Sequence, residues 1–345
     1  MGTADRFDAF QRRHPAVAVP LAVAYKFFDD QGGYLCALVT YYGFLSLFPL
    51  LLLMTTTLGY LLAGSPALQE RLVASALSRF PVIGDQIGEN VHSLQGSSLA
   101  LIAGLLVGLY GGLGVAQAAQ VALNRVWAVP RAARPNPFAG RLRGSLLLLI
   151  IGGGVVATTV LSTVTAGTDA LGTDLGTGVR ILLALAGVVV NAVLFLLAFR
   201  VLTARDVPVR QHLPGALLGA VLWQVLQVLG TYYVRNALQG ASATYGLFGI
   251  VLGLVGWIYL GALIFVLTAE VNVVLARTLW PRSLMTPFTD DVDLTRADRR
   301  AYTSYARSEQ HKGFEQVDVA FGDQDGDRRD GDQRDGDRRD GDRRG

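Results

Sequence analysis

Seven polar side chains lie within or at the ends of long apolar runs, and they are the residues best placed to do chemistry. They carry hydroxyl, amide or carboxyl groups and are Tyr41, Tyr42, Ser46, Asn124, Asn191, Gln224 and Glu270. A carboxylate is costly in apolar surroundings, so Glu270, the only ionisable residue near the interior of such a run, is the strongest functional candidate. It would bind a cationic headgroup or carry a proton, while the neutral groups would hydrogen-bond a polar ligand. We expect the seven to line one polar cavity.

A purely structural interpretation of the same residues stays open. In it, Glu270 lies at a membrane interface and pairs with Arg125 or Arg143. The amide side chains near Asn124, which include Gln117 and Gln120, then form hydrogen bonds between helices.

Residue sets typical of enzymes are missing from the sequence. The chain has one cysteine, and its four histidines have no second histidine or acidic partner at metal-ligand spacing; they are His14, His92, His212 and His311. It contains neither a Gly-x-x-x-x-Gly-Lys-Ser/Thr phosphate loop nor a Gly-x-Ser-x-Gly nucleophile elbow. We therefore expect no enzymatic activity, no cofactor and no metal ion.

The composition predicts that membrane-spanning helices position these residues. Of the 345 residues, 51% are hydrophobic, and only 19 charged residues lie between 31 and 276. A soluble core of that size lacks the polar surface it needs, whereas about 20 apolar residues cross a bilayer as a helix. The sequence predicts an all-α polytopic membrane protein with six transmembrane helices in residues 34–276. The spans lie near 36–62, 98–121, 144–167, 181–199, 213–234 and 247–270.

The charges between the spans predict their orientation. Lys and Arg number four before the first span, then two, five, one, three and one in successive loops, with two directly after the last span. Because Lys and Arg favour the cytoplasmic side, both termini are expected in the cytoplasm. Tyr41, Asn124 and Glu270 then fall in cytoplasmic halves of their spans, so the predicted cavity opens to the cytoplasm. The net charge of +3 is too small to indicate a nucleic-acid partner.

The remaining segments carry weaker signals. Residues 1–33 are predicted to be cytoplasmic or interfacial, with a helix near 15–28, and residues 277–345 to be a cytoplasmic tail. From about residue 322 the tail repeats Asp, Arg and Gly with no apolar face, which predicts disorder. Pro49 predicts a kink in the first helix. An amphipathic surface helix is expected in the first outer loop.

Small residues recur at four-residue spacing in three of the spans. These are Gly104, Gly108 and Gly112, then Gly215 and Gly219, then Gly249 and Gly253. Such spacing lets helix backbones approach closely. It permits a homo-oligomer without requiring one.

Six short motifs occur in order along the chain. They are ALVTYYGFLSLFP at 37–49, ALNRVW at 122–127, LPGA at 213–216 with a tryptophan at 223, YGLFG at 245–249, WIYL at 257–260 and AEVN at 269–272. Their combination resembles the YihY/virulence factor BrkB family over about residues 15–285. One departure is Thr268, where the family more often has glycine.

The resemblance implies an integral protein of the bacterial plasma (inner) membrane with six spans, whose molecular activity is not established. Members are associated with serum resistance and with envelope lipid handling. An older ribonuclease label does not fit, because metal-dependent phosphodiester cleavage needs a His/Asp ligand cluster. Among the residues singled out above, Tyr41, Tyr42, Pro49, Asn124 and Glu270 match recurring family positions.

Two functions follow from these features. The first is transport or other handling of a membrane lipid or similar amphiphile through the polar cavity. The second is a non-catalytic scaffold or accessory subunit, in which the charged tail and the outer helix recruit an envelope protein partner.

Overall fold

The computed structural model describes residues 3–61, 98–170, 177–233, 246–287, 289 and 292–322. These residues form nine α-helices: α1 (Thr3–Arg13), α2 (Pro15–Asp29), α3 (Gly32–Leu61), α4 (Ser98–Val126), α5 (Pro137–Ala170), α6 (Thr177–Leu202), α7 (Val209–Tyr233), α8 (Gly246–Arg277) and α9 (Arg296–Ser308). A short 3-10 helix, Arg131–Ala133, lies between α4 and α5. No strand occurs within this part of the chain, which confirms the predicted all-α class there.

Each of the six predicted spans overlaps one helix from α3 to α8. Three helical segments have the length and composition to cross a membrane: Leu185–Leu202, Val209–Gly230 and Val251–Arg277. Gly32–Leu47 is a shorter apolar helical segment. The assigned helix of α3 continues through position 49, and the kink at Pro49 stays a prediction. The predicted outer-loop helix and the repeat from residue 323 onward lie outside the described residues.

Helices α3 to α8 pack as a closed ring in chain order. Each contacts the next helix along the chain, and α8 returns to contact α3. In addition, α4 contacts both α6 and α8. Helices that follow each other along the chain tend to pack as neighbours, which accounts for the order. The second predicted span, α4, thus touches four other helices of the ring.

Large apolar side chains are exposed along these helices. Examples are Leu142 and Leu149 on α5, Val228 on α7 and Leu252 on α8. Soluble monomers rarely expose apolar surface of this extent, and a membrane is one environment that covers it.

Only some of the glycines serve close packing. A Cβ atom at Gly215 would lie 2.1 Å from the Thr268 carbonyl oxygen, so α7 and α8 meet there at backbone distance. A Cβ at Gly111 would lie 2.8 Å from Ser46 Cα, which places α4 equally close to α3. A Cβ at Gly249 would meet no atom within 4 Å. The four-residue spacing therefore predicted the close contact at Gly215 correctly. It also selected Gly249, which has no close neighbour, and it did not select Gly111.

The chain divides into two compact units. The bundle unit contains Val23–Val129 and Ala133–Arg277, and the terminal unit contains Met1–Ala22, Pro130–Ala132 and Thr278–Gly345. The bundle unit begins inside α2, about ten residues before the boundary expected from the apolar runs. The second half of α2 therefore belongs with the apolar helices.

The terminal unit is held by polar contacts between distant segments. The Arg282 guanidinium pairs with the Asp298 carboxylate, and both side chains are buried. Asp298 also accepts hydrogen bonds from the backbone of Ser283 and Thr295, completing a capping box at the start of α9. Gln11 Nε2 on α1 donates to the Arg282 carbonyl over 2.6 Å.

Candidate functional site

Four charged side chains meet inside the bundle unit, and we call them the charge cluster: Lys26, Asp30, Arg125 and Glu270. The Lys26 ammonium pairs with the Asp30 carboxylate and lies 3.3 Å from Glu270 Oε2. Arg125 Nε lies 3.8 Å from Asp30 Oδ1. Lys26, Asp30 and Glu270 have side-chain exposures of 1% or less. Two cations thus face two carboxylates, and Arg125 is the partly exposed member of the cluster.

Local structure in the turn between α2 and α3 sets this geometry. Asp30 follows Lys26 by one helical turn, and its backbone N–H donates to the Lys26 carbonyl over 2.9 Å. Gln31 then adopts a positive φ of 57°, and α3 begins at Gly32. A Cβ at Gly32 would lie 2.3 Å from the Phe27 ring, so this position needs a glycine. Burial raises the pKa of the Asp30 carboxyl, and the charge of Lys26 opposes that rise.

The partner of Glu270 differs from both partners considered from sequence. Glu270 is fully buried within the chain, and its cation is Lys26. Arg125 lies beside Asp30 instead. Lys26, in the helix expected near residues 15–28, is 1% exposed, whereas the neighbouring Phe28 is exposed. Lys26 therefore already supplies a positive charge next to the Glu270 carboxylate.

A second polar feature is an open cleft of about 280 Å³ between the C-terminal turns of α4 and the start of α5. We call it the polar cleft. Its polar lining residues are Gln117, Gln120, Asn124, Arg134, Asn136 and Arg141. This lining combines two guanidinium groups with four amides and contains no carboxylate.

Several hydrogen bonds shape the polar cleft. Asn136 caps α5, because its Oδ1 accepts from the Ala139 N–H over 2.8 Å, and a proline follows at the first helical position. Gln120 Nε2 on α4 donates to the Gly140 carbonyl on α5 over 2.9 Å. Asn124 Oδ1 accepts from the Ala204 N–H over 3.0 Å. Arg134 Nε donates to the Val129 carbonyl over 3.3 Å. These bonds thus join α4 and α5 to each other and α4 to the connection after α6.

Exposed apolar side chains lead along α4 and α5 to the polar cleft. On one face of α4 they are Ile102, Leu106, Tyr110 and Val121, and Val121 itself lines the cleft. On one face of α5 they are Phe138, Leu142, Leu146 and Leu149. Spacings of four and eleven residues on α4, and of four and three residues on α5, keep each set on one side of its helix. We call these faces the apolar stripes.

The other predicted cavity residues lie elsewhere in the bundle unit. Of the seven, Asn124 lines the polar cleft and Glu270 belongs to the charge cluster. Tyr41 is 62% exposed on α3, and Gln224 is exposed on α7. Asn191 on α6 is half-buried.

Two of the seven contribute to packing of α3 against α4. The Tyr42 ring covers Gly114, where a Cβ would lie 2.3 Å from it. Ser46 is buried against Gly111, and its hydroxyl donates to the Gly43 carbonyl over 3.1 Å. Tyr42 and Ser46 therefore lie at the contact between α3 and α4.

Sequence reasoning missed several residues of both features. Lys26 was missed because its partner is 244 positions away, and Arg134 and Arg141 were counted only as loop charges. The Asn136-Pro137 pair was the available signal, since an amide before proline is typical of a helix start. Groups of three or more His, Cys, Asp or Glu residues arranged to hold a metal ion are not found in the described ranges.

Comparison with known families assigns the chain. The family model for virulence factor BrkB matches residues 23–287, which is most of the sequence and includes the charge cluster and the polar cleft. The chain belongs to the virulence factor BrkB family. No curated protein and no solved structure matches it.

The BrkB match begins at residue 23, the residue at which the bundle unit begins. The matched region thus contains all of α3 to α8 and the second half of α2. The family assignment and the three apolar helical segments both indicate a membrane protein.

Proposed function

We propose that this BrkB-family protein crosses the bacterial plasma membrane six times, with both termini in the cytoplasm, and handles a lipid or other amphiphile. Support comes from the six helices that overlap the apolar runs and from the alternation of Lys and Arg between them. The polar cleft then faces the cytoplasmic side, since the second loop carries five arginines.

One observation carries the proposal: a polar cleft lies where two exposed apolar stripes end. An amphiphile has the same two parts, a polar headgroup and an apolar chain. The cleft offers guanidinium and amide donors, and the stripes offer apolar surface on α4 and α5. Binding both parts at once gives a reason for polar groups at this depth.

Movement of the amphiphile is the activity that we propose for this site. The sequence contains no phosphate loop for ATP, so the movement is passive, coupled to an ion or driven by a partner protein. No chemical step on the amphiphile is required.

The test is a lipid-movement assay with full-length protein in liposomes. The liposomes contain a phospholipid with a fluorescent headgroup, and a membrane-impermeant quencher is added outside. We expect the protein to expose the inner-leaflet fluorescence that is protected in empty liposomes.

Gln117 provides a blocking variant with a matched control. It is exposed and lines the polar cleft, so Gln117→Trp fills the cleft while Gln117→Ala leaves it open. We expect Gln117→Trp to slow lipid movement about tenfold, equivalent to about 1.4 kcal/mol in the barrier, and Gln117→Ala to act like the wild type.

Two results would count against the proposal. If folded wild-type protein leaves the inner-leaflet signal protected, lipid movement is excluded for that lipid and the scaffold function gains weight. If both Gln117 variants move lipid at the wild-type rate, the polar cleft is not the route.

A further inference from the structure

We propose that the polar cleft binds the phosphate group of an anionic amphiphile headgroup. The inference rests on the proposed function and adds the chemistry of the headgroup. It starts from the charge of the cleft, which is set by Arg134 and Arg141 without a carboxylate in the described lining.

Arg141 supplies the exposed cation of the cleft. It lies in the first turns of α5 and is exposed, and it makes no ion pair with any residue that the structure describes. A guanidinium presents paired N–H donors that match two oxygens of a phosphate. An anion in the cleft would therefore form an ion pair with Arg141.

Asn124 supplies an amide donor. The residue is only 5% exposed and still lines the polar cleft. Its Oδ1 must be the atom facing the Ala204 N–H, since that group is a donor, and this assigns Nδ2 as the remaining amide group. Nδ2 has no acceptor among the described residues. Nδ2 is therefore a donor that a phosphate oxygen in the cleft would engage.

The start of α5 adds a favourable dipole. Asn136, Pro137, Gly140 and Arg141 all line the cleft and form the first turns of a 34-residue helix and its cap. The N-terminal end of a helix carries partial positive charge and stabilises anions. This contribution has the same sign as that of the two arginines.

The alternative, a cationic headgroup at Glu270, finds less support. Lys26 already pairs with that carboxylate, and Glu270 is fully buried. A ligand cation would have to displace the ammonium of the chain itself.

The size of the cleft fits a headgroup. Its volume of about 280 Å³ is just below the range of about 300 to 1,000 Å³ typical of pockets for whole small molecules. A phosphate group and its nearest atoms fit, whereas acyl chains would lie outside, along the apolar stripes.

Binding to the purified protein tests the inference. Full-length protein in a neutral detergent is titrated with short-chain phosphatidylglycerol, short-chain phosphatidylcholine and inorganic phosphate, and Kd is measured by calorimetry. The variant Arg141→Gln removes one of the two charges of the cleft. The control Arg210→Gln removes an exposed arginine at the start of α7 that does not line the cleft.

We expect phosphatidylglycerol to bind more tightly than phosphatidylcholine. Arg141→Gln should weaken phosphatidylglycerol binding about tenfold, which is a typical loss for one charge-assisted contact. Arg210→Gln should leave it unchanged.

Three outcomes would overturn the inference. Equal affinities for the two lipids would remove the preference for an anion. Equal losses in the two arginine variants would indicate general charge attraction. Tighter Arg141-dependent binding of inorganic phosphate than of either lipid would identify a free phosphate as the ligand.

The binding result is independent of the lipid-movement assay. Lipid movement without anion preference would leave the proposed function in place and refute only this inference. Anion binding without lipid movement would support this inference and refute the proposed function. It would identify a headgroup site on a protein that does not transport.

Discussion

Among single residues, Lys26 is the buried cation that two carboxylates of the bundle unit share. Its ammonium faces two buried carboxylates, Asp30 and Glu270. The other cation of the charge cluster, Arg125, lies 3.8 Å from Asp30 and is partly exposed. Removing one partner of a buried ion pair leaves an uncompensated charge, which costs more than losing an exposed pair.

We expect Lys26→Met to destabilise the protein by about 3 kcal/mol or more, because Glu270 loses its cation inside the bundle. The measurement is the midpoint of thermal unfolding in detergent, followed by loss of the monodisperse peak in size-exclusion chromatography.

The chain contains only one other lysine, Lys312, which is exposed and provides the matched control. Lys312→Met should leave the midpoint unchanged. The double variant Lys26→Met with Glu270→Gln should recover part of the loss, because it removes the uncompensated carboxylate. No recovery in the double variant would show that the two side chains do not act as a pair.

At the scale of helices, the contact between α7 and α8 depends on Gly215. A Cβ at this position would lie 2.1 Å from the Thr268 carbonyl oxygen. The Gly215 backbone N–H donates to Asn272 Oδ1 over 2.7 Å. Close approach of this kind is how helices gain packing energy where water does not drive association.

We expect Gly215→Ala to reduce the yield of folded protein severalfold, since α7 must move away from α8. Gly249→Ala, on α8 with open space around it, should be tolerated. Fluorescence-detected size-exclusion chromatography of tagged variants compares the two. Equal yields would mean that α7 and α8 do not meet at Gly215.

At the scale of the whole molecule, the orientation in the membrane can be measured with thiol reagents. The only cysteine, Cys36, is buried, so a thiol reagent that cannot cross membranes should not reach it. Introduced cysteines in predicted loops therefore give a clean readout.

We expect Arg235→Cys to react from outside in intact spheroplasts, because it lies in a loop with a single arginine. Arg205→Cys, in a loop with three, should react only after the membrane is opened. The reverse pattern would place the termini outside and turn the polar cleft toward the periplasm.

Much of the fold follows from local sequence properties. Apolar runs with few charges must form helices wherever water is absent, and a helix overlaps every one of the six runs. Glu270 could also be singled out directly, because a lone carboxylate in an apolar run is visible without any structure. Gly215 could likewise be identified from the sequence, because its four-residue spacing to Gly219 is visible there.

Contacts between distant parts of the chain needed the tertiary structure. Lys26 meets Glu270 only because α8 closes the ring against α3, next to the turn that carries Asp30. Likewise, Asn124 and Arg141 share the polar cleft because α5 folds back along α4. Sequence periodicity reports which side of one helix is apolar, whereas the partner of each side depends on how all the helices pack together.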